Sequence, residues 1–402
     1  MAQTIKDFDI LDVRVGIFNH RNLKHIDWVL AGLVVVLALI GFAVLFSAGR
    51  GVSAPTPYYA KQAMFFLVGV GIALFIMCID SRFLVWIAPV MYAGAVLMLL
   101  AVILFGTSVK GGQRWLPVGP FRLQPSEQTK IVVVYMLAWY LSLVKERIQK
   151  LHFLVLAFVI AGIPAALILK QPSLGTAMAL IPLSFVMVCV AGCKWWHLAF
   201  IALAGTAAIP AAYHKLEGYQ KSRLTSFINT DAVSKDDGLQ SISQRLLGEE
   251  LPKVDPQGSG WQTRQSKITV GSGGLSGKGF GRGTQTLLNY LPEHHTDFIF
   301  SLLAEEHGFI GATIVIGLFA AFLLRGLWLA LKSTDFSNAL LATGCVTILA
   351  FHVFVNIAIT IGLMPVTGIP LPFLSYGGNF YITTMMCVGV LLHVPVRKLL
   401  FD

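Results

Sequence analysis

Charged side chains are scarce in this 402-residue sequence. Asp, Glu, Lys and Arg together make up 12% of it, whereas hydrophobic residues make up 56%. A soluble domain usually carries about twice that share of charge, because its surface must be covered by polar groups. The composition therefore excludes an ordinary soluble globular protein and is typical of a chain that crosses a membrane several times.

Two further absences exclude other classes of protein. The five cysteines all lie in or beside apolar stretches, so a disulfide framework is not expected. No soluble basic domain is present either, although the net charge is +10. We therefore assign the positive charge to orientation in the membrane and contact with anionic lipid, and we expect no nucleic-acid partner.

Ten apolar stretches are long enough to cross a bilayer as helices. They lie near 28–47, 60–79, 84–105, 125–144, 152–169, 175–193, 197–213, 300–328, 338–361 and 372–394. We predict an all-α polytopic membrane protein with about ten transmembrane helices and one long extracytoplasmic loop. The predicted divisions are an amino-terminal segment 1–27, helices one to seven in 28–213, the loop 214–296, helices eight to ten in 297–394, and a carboxyl-terminal segment 395–402.

The short connections on one side of these helices carry about twice as many Lys and Arg residues as those on the other. Basic residues favour the cytoplasmic side, so both termini are predicted to be cytoplasmic. The connections rich in proline, glycine and charge then all lie on the outer face. A functional site, if there is one, is expected to face outward.

The stretch 270–312 runs from a glycine-rich basic segment into an apolar helix and carries Asp297 at the entrance. An ionisable residue at the mouth of a membrane helix is a functional-site hypothesis by default. If the helix includes Asp297, then Ser301 and Glu305 share its face at i+4 and i+8, a narrow polar stripe suited to a cavity wall. Helix capping is the alternative for Asp297, but it does not explain Glu305 two turns further on.

A second charged motif is QPSEQTK at 124–130. Glu127 and Lys130 are spaced i, i+3 and can form an ion pair. Such a pair can equally close a helix end or belong to a catalytic pocket. Arg114, directly before Trp115, is either an anion ligand or an anchor at the membrane interface.

The glycines between 271 and 283 suggest nucleotide binding, but neither nucleotide motif is completed. A P-loop would need glycine where Ser272 stands and Ser or Thr where Gly279 stands. What remains is a flexible backbone whose N–H groups, with Lys278 and Arg282, can face a phosphate. A merely flexible loop is the alternative.

The sequence EHHTD at 293–297 does not have the spacing of a metal-ligand set, so no protein-held transition metal is predicted. His352 and Asn356 lie one turn apart in the ninth predicted helix. We interpret them as hydrogen-bonding residues between helices rather than as catalysts.

Several of these motifs, in this order, resemble the SEDS family of bacterial peptidoglycan glycosyltransferases. The matching pieces are GQRWLPVGPFRLQPSEQTK, QPSLGTA, the stretch 271–312 and GLMPVTGIPLPFLSYGG. Within the family, TGIPLPF and the short amino terminus are more similar to RodA than to FtsW. The sequence departs from the family at Ser173, where aspartate is usual, and at Asn379 and Phe380, where a serine pair is usual.

The resemblance implies an enzyme that polymerises lipid II into glycan strands at the outer face of the bacterial cytoplasmic membrane, for cell elongation and rod shape. Undecaprenyl pyrophosphate would be released. The family's essential aspartate falls on Asp297, its Glu–Lys pair on Glu127 and Lys130, and its arginine on Arg114. The expected partners are lipid II, the growing strand, a class B penicillin-binding transpeptidase and other membrane proteins of the elongation complex.

This chemistry needs one base for the attacking hydroxyl and cations for the leaving charge. We assign Asp297 as the base, Glu127 as the residue that holds Lys130, and Ser301 and Glu305 as supporting residues. The candidate pyrophosphate ligands are Arg114, Lys130, Arg223, Lys278 and Arg282. The sequence requires no cofactor, although a divalent cation (Mg²⁺ or Mn²⁺) on the pyrophosphate is compatible with it.

The alternative function is a transporter, a flippase for lipid II, which would move the precursor without chemistry. Ten helices with polar residues inside them permit it. The placement of all the motifs on one face argues against it, because alternating access needs a site near the midplane that both faces can reach.

Overall fold

The computed structural model describes residues 26–50, 57–109, 112–119, 121–207, 221, 259–288, 290–291 and 293–394. Its helices are α1 (Trp28–Ala48), α2 (Tyr58–Cys78), α3 (Ser81–Phe105), α4 (Pro125–Leu143), α5 (Leu151–Lys170), α6 (Leu174–Val190), α7 (Trp195–Ala207), α8 (Ser259–Ser272), α9 (Thr284–Leu287), α10 (Ile299–Lys332), α11 (Phe336–Thr360) and α12 (Gly378–His393). The strands are β1 (Thr107–Val109), β2 (Gly112–Val118) and β3 (Phe121–Leu123). The predicted terminal segments lie mostly outside the described residues, as does Arg223.

The predicted polytopic helical fold is confirmed. Six helices (α1, α2, α3, α5, α10 and α11) are long and apolar enough to cross a membrane. Shorter apolar helices (α6, α7 and α12) and the 19-residue α4 occupy the other predicted positions. The division of the chain into loop and helical segments stays a prediction.

Helix α11 lies at the centre of the bundle. It packs against α4, α6, α8, α10 and α12. Of its most apolar 18 residues, 72% are buried, against 22–39% for the other five long apolar helices, which therefore leave most of their apolar surface outside the protein core. Polar side chains of α11 consequently face protein rather than hydrocarbon.

Helix α1 runs antiparallel to α10 and is fastened to it at both ends. At one end Asp27 caps α1 by accepting from the N–H of Leu30 at 2.8 Å, and it also pairs with Arg325 at 2.6 Å. At the other end the hydroxyl of Ser47 donates to the carboxylate of Glu306. The second end is the one predicted to face outward.

Two elements at that end were not predicted from the sequence. A three-stranded antiparallel sheet lies between α3 and α4, with Thr107 opposite Trp115 and Leu116 opposite Leu123. Helix α8 falls inside the predicted long loop and packs against α10 and α11, burying Thr263, Ser266 and Thr269. Part of that loop is therefore built into the bundle.

Helix α10 breaks at Gly308, whose φ of 65° and ψ of −165° are not helical. The glycine-rich segment 274–279 fills the break through four backbone hydrogen bonds of 2.9–3.1 Å to residues 305–310. Two of them satisfy carbonyls before the break, and two satisfy N–H groups after it. Buried peptide groups need such partners, so the glycine run has a structural reason to exist.

Replacing Gly308 with alanine tests this interlock. Its φ/ψ values are in a region that only glycine adopts readily, and a Cβ there would lie 2.5 Å from the carbonyl oxygen of Leu275. We expect Gly308→Ala to destabilise the protein by about 1–3 kcal/mol. The midpoint of thermal unfolding in detergent measures this.

Gly317→Ala is the matched control, because Gly317 lies in the same helix with open space around its Cβ position. It should leave the free energy of unfolding unchanged or raise it by up to about 1 kcal/mol, so the midpoint stays the same or rises slightly. Equal midpoints for the two variants would contradict the interlock.

Candidate active site

Asp297 lies in the turn that leads into α10. The helix begins at Ile299 after Phe298, and the N–H of Asp297 donates to the carbonyl of Glu293 at 3.1 Å. The side chain of Asp297 is half-buried. The expectation that Asp297 continues the helical face of Ser301 and Glu305 is therefore wrong, because the chain is not yet helical there.

The backbone around Asp297 is held by three separate donors. The consecutive carbonyls of residues 295–297 accept, in order, from the N–H of Tyr376 at 3.0 Å, the hydroxyl of Ser375 at 2.6 Å and the side-chain amide of Asn356 at 2.9 Å. The donors belong to α11 and to the connection between α11 and α12. Two segments far apart in sequence thus position this turn.

An aromatic group lies against the same turn. The ring of Tyr58 stacks on His295 with centroids 4.3 Å apart, and Tyr376 lies 5.2 Å from Tyr58. Burial raises the pKa of Tyr376, and the neighbouring Tyr58 raises it further. The hydroxyl of Tyr376 therefore stays protonated at neutral pH and remains a hydrogen-bond donor.

The predicted ion pair between Glu127 and Lys130 is present, with Nζ 2.8 Å from Oε2. Lys130 is completely buried, and its Nζ also lies 2.8 Å from Nε2 of His352 and 5.3 Å from the ring centroid of Phe380. The other nitrogen of His352 lies 3.2 Å from the carbonyl of Pro370. The ammonium group is thus engaged inside the protein, not presented at a surface.

Arg114, in β2, binds the connection between α5 and α6 beside the buried Glu127–Lys130 pair. Its guanidinium donates to the carbonyls of residues 171–172, at 3.2 Å for the first. The hydroxyl of Ser173 lies 3.0 Å from that of Thr176, which donates to Glu127 at 3.4 Å. Two of the departures from the family pattern therefore lie near the ion pair: Phe380 lies against Lys130, and Ser173 is linked to Glu127 through Thr176.

Glu305 is buried and surrounded by donors from the glycine-rich region. Its carboxylate accepts from Nζ of Lys278 at 2.7 Å, the N–H of Gln285 at 3.0 Å and the hydroxyl of Thr284 at 3.3 Å. Lys278, predicted as a phosphate ligand, is thus an internal partner of Glu305. Of the four predicted cations in the described residues, Arg282 is the exposed one.

Ser301 also faces protein. Its hydroxyl lies 2.7 Å from that of Ser266 in α8, which in turn donates to the carbonyl of Thr360 at 2.8 Å. The polar stripe of α10 is therefore covered by α8 and the glycine-rich segment and does not line an open cavity. Sequence reasoning missed Ser266 and Ser375 because an isolated serine in a loop carries no distinguishing pattern.

Within the described residues, no three His, Cys, Asp or Glu side chains are grouped so that they could hold a metal ion. The carbonyls of Thr296 and Asp297 accept from the Ser375 hydroxyl and the Asn356 side-chain amide. A divalent cation carried by a pyrophosphate stays a prediction.

Removal of Lys278 tests its assignment as an internal partner. Lys278→Met leaves the Glu305 carboxylate buried without its cation, which costs roughly 3–5 kcal/mol in a wholly buried pair. Because 27% of the Lys278 side chain is exposed, we expect Lys278→Met to lower the free energy of unfolding by about 2–3 kcal/mol. The unfolding midpoint measures this loss.

Arg282→Met, an exposed change in the same loop, should cost less than about 0.5 kcal/mol. Adding Glu305→Gln to Lys278→Met should recover part of the loss, since the unpaired charge is removed. A Lys278→Met protein as stable as Arg282→Met would contradict the pairing.

The comparisons with known proteins agree with the motifs. The chain matches the model of the family FtsW, RodA and SpoVE, described as "Cell cycle protein", over residues 24–248 and 243–398. It is 35% identical over 383 residues to the probable peptidoglycan glycosyltransferase FtsW of Trichlorobacter lovleyi, covering 93% of this chain and 94% of that protein. It is 32% identical over 433 residues to the peptidoglycan glycosyltransferase RodA of Treponema pallidum, covering 94% of this chain and 99% of that protein.

A solved chain from a peptidoglycan synthase complex that coordinates polymerization and crosslinking superposes with a TM-score of 0.75 at 28% identity, over 94% of this chain and 99% of that one. The chain therefore belongs to the FtsW, RodA and SpoVE family, the SEDS proteins that its motifs resemble.

Proposed function

We propose that this chain is a peptidoglycan glycosyltransferase that polymerises lipid II into glycan strands at the outer face of the bacterial cytoplasmic membrane. Both termini would be cytoplasmic. Asp297 is the base that takes the proton of the attacking sugar hydroxyl. Two similar proteins named peptidoglycan glycosyltransferases, one an FtsW and one a RodA, support the reaction class.

The observation that carries the role of Asp297 is its difference from the other acids at the same end of the bundle. The carboxylates of Glu127, Glu305 and Glu306 are buried, with 5%, 0% and 2% of each residue exposed. Asp297 is half-buried and lies in a turn at the predicted membrane boundary. A general base has to reach the proton it removes, so a partly accessible carboxylate fits the role and a fully buried one does not.

The bond changes follow from the substrate. The hydroxyl oxygen of one sugar attacks the anomeric carbon of the next, and the bond between that carbon and the lipid pyrophosphate breaks. The hydroxyl proton goes to the Asp297 carboxylate, and the electron pair of the broken bond leaves with the pyrophosphate. One carboxylate is sufficient because the leaving group is already anionic, whereas hydrolysis of a glycoside normally uses two.

Cations must offset the charge that develops on the leaving group. Arg282 is exposed and is the best placed of the predicted ligands in the described residues. Arg114 is half-buried and holds two carbonyls of the connection between α5 and α6. Lys130 and Lys278 act through the carboxylates they hold, and Lys130 adds positive potential from inside the bundle.

A class B penicillin-binding transpeptidase is the proposed partner, since a polymerised strand has to be crosslinked. The similar solved chain comes from a complex that coordinates polymerization and crosslinking, which supports this pairing. We also propose that the chain serves elongation together with other membrane proteins of that complex, because its TGIPLPF segment resembles RodA.

Loss of the base should greatly slow polymer formation. We expect Asp297→Asn to lower the turnover of lipid II by about 10²- to 10⁴-fold, the usual contribution of general base catalysis. Purified full-length protein, with and without the transpeptidase, is incubated with lipid II, and the glycan chains are resolved by electrophoresis.

Glu293→Gln is the control, because Glu293 is a partly exposed carboxylate in the same turn. It should polymerise at close to the wild-type rate. Normal glycan chains from Asp297→Asn would sink the assignment of the base. A well-folded wild type that forms no polymer under any condition would favour transport of the precursor instead.

The proposed role in elongation has its own test. In a rod-shaped host depleted of its own RodA, the wild-type chain should restore rods, and the Asp297→Asn chain should leave round cells. Rescue of a strain depleted of FtsW, with no rescue of the RodA-depleted strain, would assign the chain to division.

A further inference from the structure

We infer that Asn356 and Ser375 are positioning residues that fix the direction of the Asp297 side chain. The inference rests on the proposed role of Asp297 as the base. It assigns a task to two buried side chains that touch the backbone of the base rather than the substrate.

Asn356 is fully buried on α11, the most enclosed of the long helices. Its side-chain nitrogen donates to the carbonyl of Asp297 at 2.9 Å and to that of Ile369 at 2.7 Å. Both hydrogens of the amide are therefore used, and the two acceptors determine which way the group is turned. Its oxygen makes no hydrogen bond within the described residues. Among the described residues, the hydrogen bonds of the Asn356 side chain are thus those donated by its N–H₂ group.

Ser375 holds the preceding peptide group. Its hydroxyl donates to the carbonyl of Thr296 at 2.6 Å and accepts from the N–H of Leu371 at 2.8 Å. The carbonyl of Ser375 itself accepts from the side chain of Gln62, buried in α2, at 3.1 Å. The hydroxyl is thus fixed by its own turn and by a second helix.

Together these bonds hold both peptide planes that flank Asp297. The plane before it is held through the Thr296 carbonyl and through the Asp297 N–H, which donates to Glu293 at 3.1 Å. The plane after it is held by Asn356. Because peptide groups are planar, fixing both planes fixes φ and ψ of the residue between them. The direction of the Cα–Cβ bond of Asp297 is then set.

The arrangement matters for rate more than for binding. A base displaced by about 1 Å can lose on the order of 10²-fold in turnover, because the proton transfer needs a near-attack geometry. Donor sugar and lipid contacts elsewhere are unaffected by such a shift. A positioning role therefore lowers kcat and leaves KM nearly unchanged.

The experiment compares Asn356→Leu with Asn338→Leu in the full-length chain. Asn338 lies on the same helix at its opposite end and is 1% exposed, and among the described residues its side-chain nitrogen has no hydrogen-bond partner. We expect Asn356→Leu to lower kcat for lipid II on the order of 10²-fold with KM within about twofold, and Asn338→Leu to leave both unchanged. Ser375→Ala should lower kcat by about 10-fold.

A cycle with Asp297→Asn separates positioning from general damage. If Asn356 acts through the carboxylate, then adding Asn356→Leu to Asp297→Asn should not reduce the residual rate further. An independent loss of folded enzyme would multiply the two effects. Multiplied losses, a wild-type kcat in Asn356→Leu, or a rise in KM equal to the fall in kcat would each overturn the inference.

Folding is checked by size-exclusion elution and unfolding midpoint. If Asn356→Leu does not fold, Ser375→Ala and its cycle with Asp297→Asn decide, by the same criteria. Failure of the proposed function gives a different result. Either the wild type would then form no polymer, or Asp297→Asn would keep the wild-type rate. Failure of the positioning role alone leaves Asp297→Asn slow and Asn356→Leu unaffected.

Discussion

A peptide group at membrane depth has to find its hydrogen-bond partner within the protein, because hydrocarbon offers none. The half of this molecule that contains Gly308 and Asp297 depends on that constraint. The break of α10 at Gly308 interrupts the regular ladder, and the segment 274–279 supplies the missing partners. The carbonyls of the turn at 295–297 do not accept helical hydrogen bonds. They accept instead from donors in α11 and in the connection that follows it. Irregular backbone is retained here only because other segments satisfy it.

The charges at this end obey a related rule. Burying an ion is costly unless a partner of opposite sign and further hydrogen bonds come with it. Lys130 has Glu127 and His352, and Glu305 has Lys278, Thr284 and Gln285. These buried groups are satisfied inside the protein and stabilise the packing at this end of the bundle. Asp297 differs from them in being only half-buried.

The sequence predicted the parts of this arrangement that depend on local pattern. Ten apolar stretches appear as helices, and the i, i+3 spacing of Glu127 and Lys130 produces a real ion pair. The partner of Lys278 could not be predicted, because Glu305 is 27 residues away in sequence and is brought near only by the break at Gly308. The same holds for α8, whose polar sequence becomes helical through packing on α10 and α11. In both cases, the Lys278–Glu305 pair and helix α8, tertiary contacts rather than local propensity determine the structure.

The break at Gly308 also connects Asp297 to the thickness of the lipid bilayer. The part of α10 beyond the break, 309–332, is about 36 Å long at 1.5 Å per residue, more than the roughly 30 Å of hydrocarbon it has to cross. Such a helix tilts to fit, and the tilt changes with the membrane. Segment 274–279 is hydrogen-bonded to α10 on both sides of the break. The bend is therefore held rigidly and does not act as a flexible hinge. The two parts of α10 are thus coupled across the break, so the tilt of 309–332 and the position of the turn that carries Asp297 are linked through these hydrogen bonds.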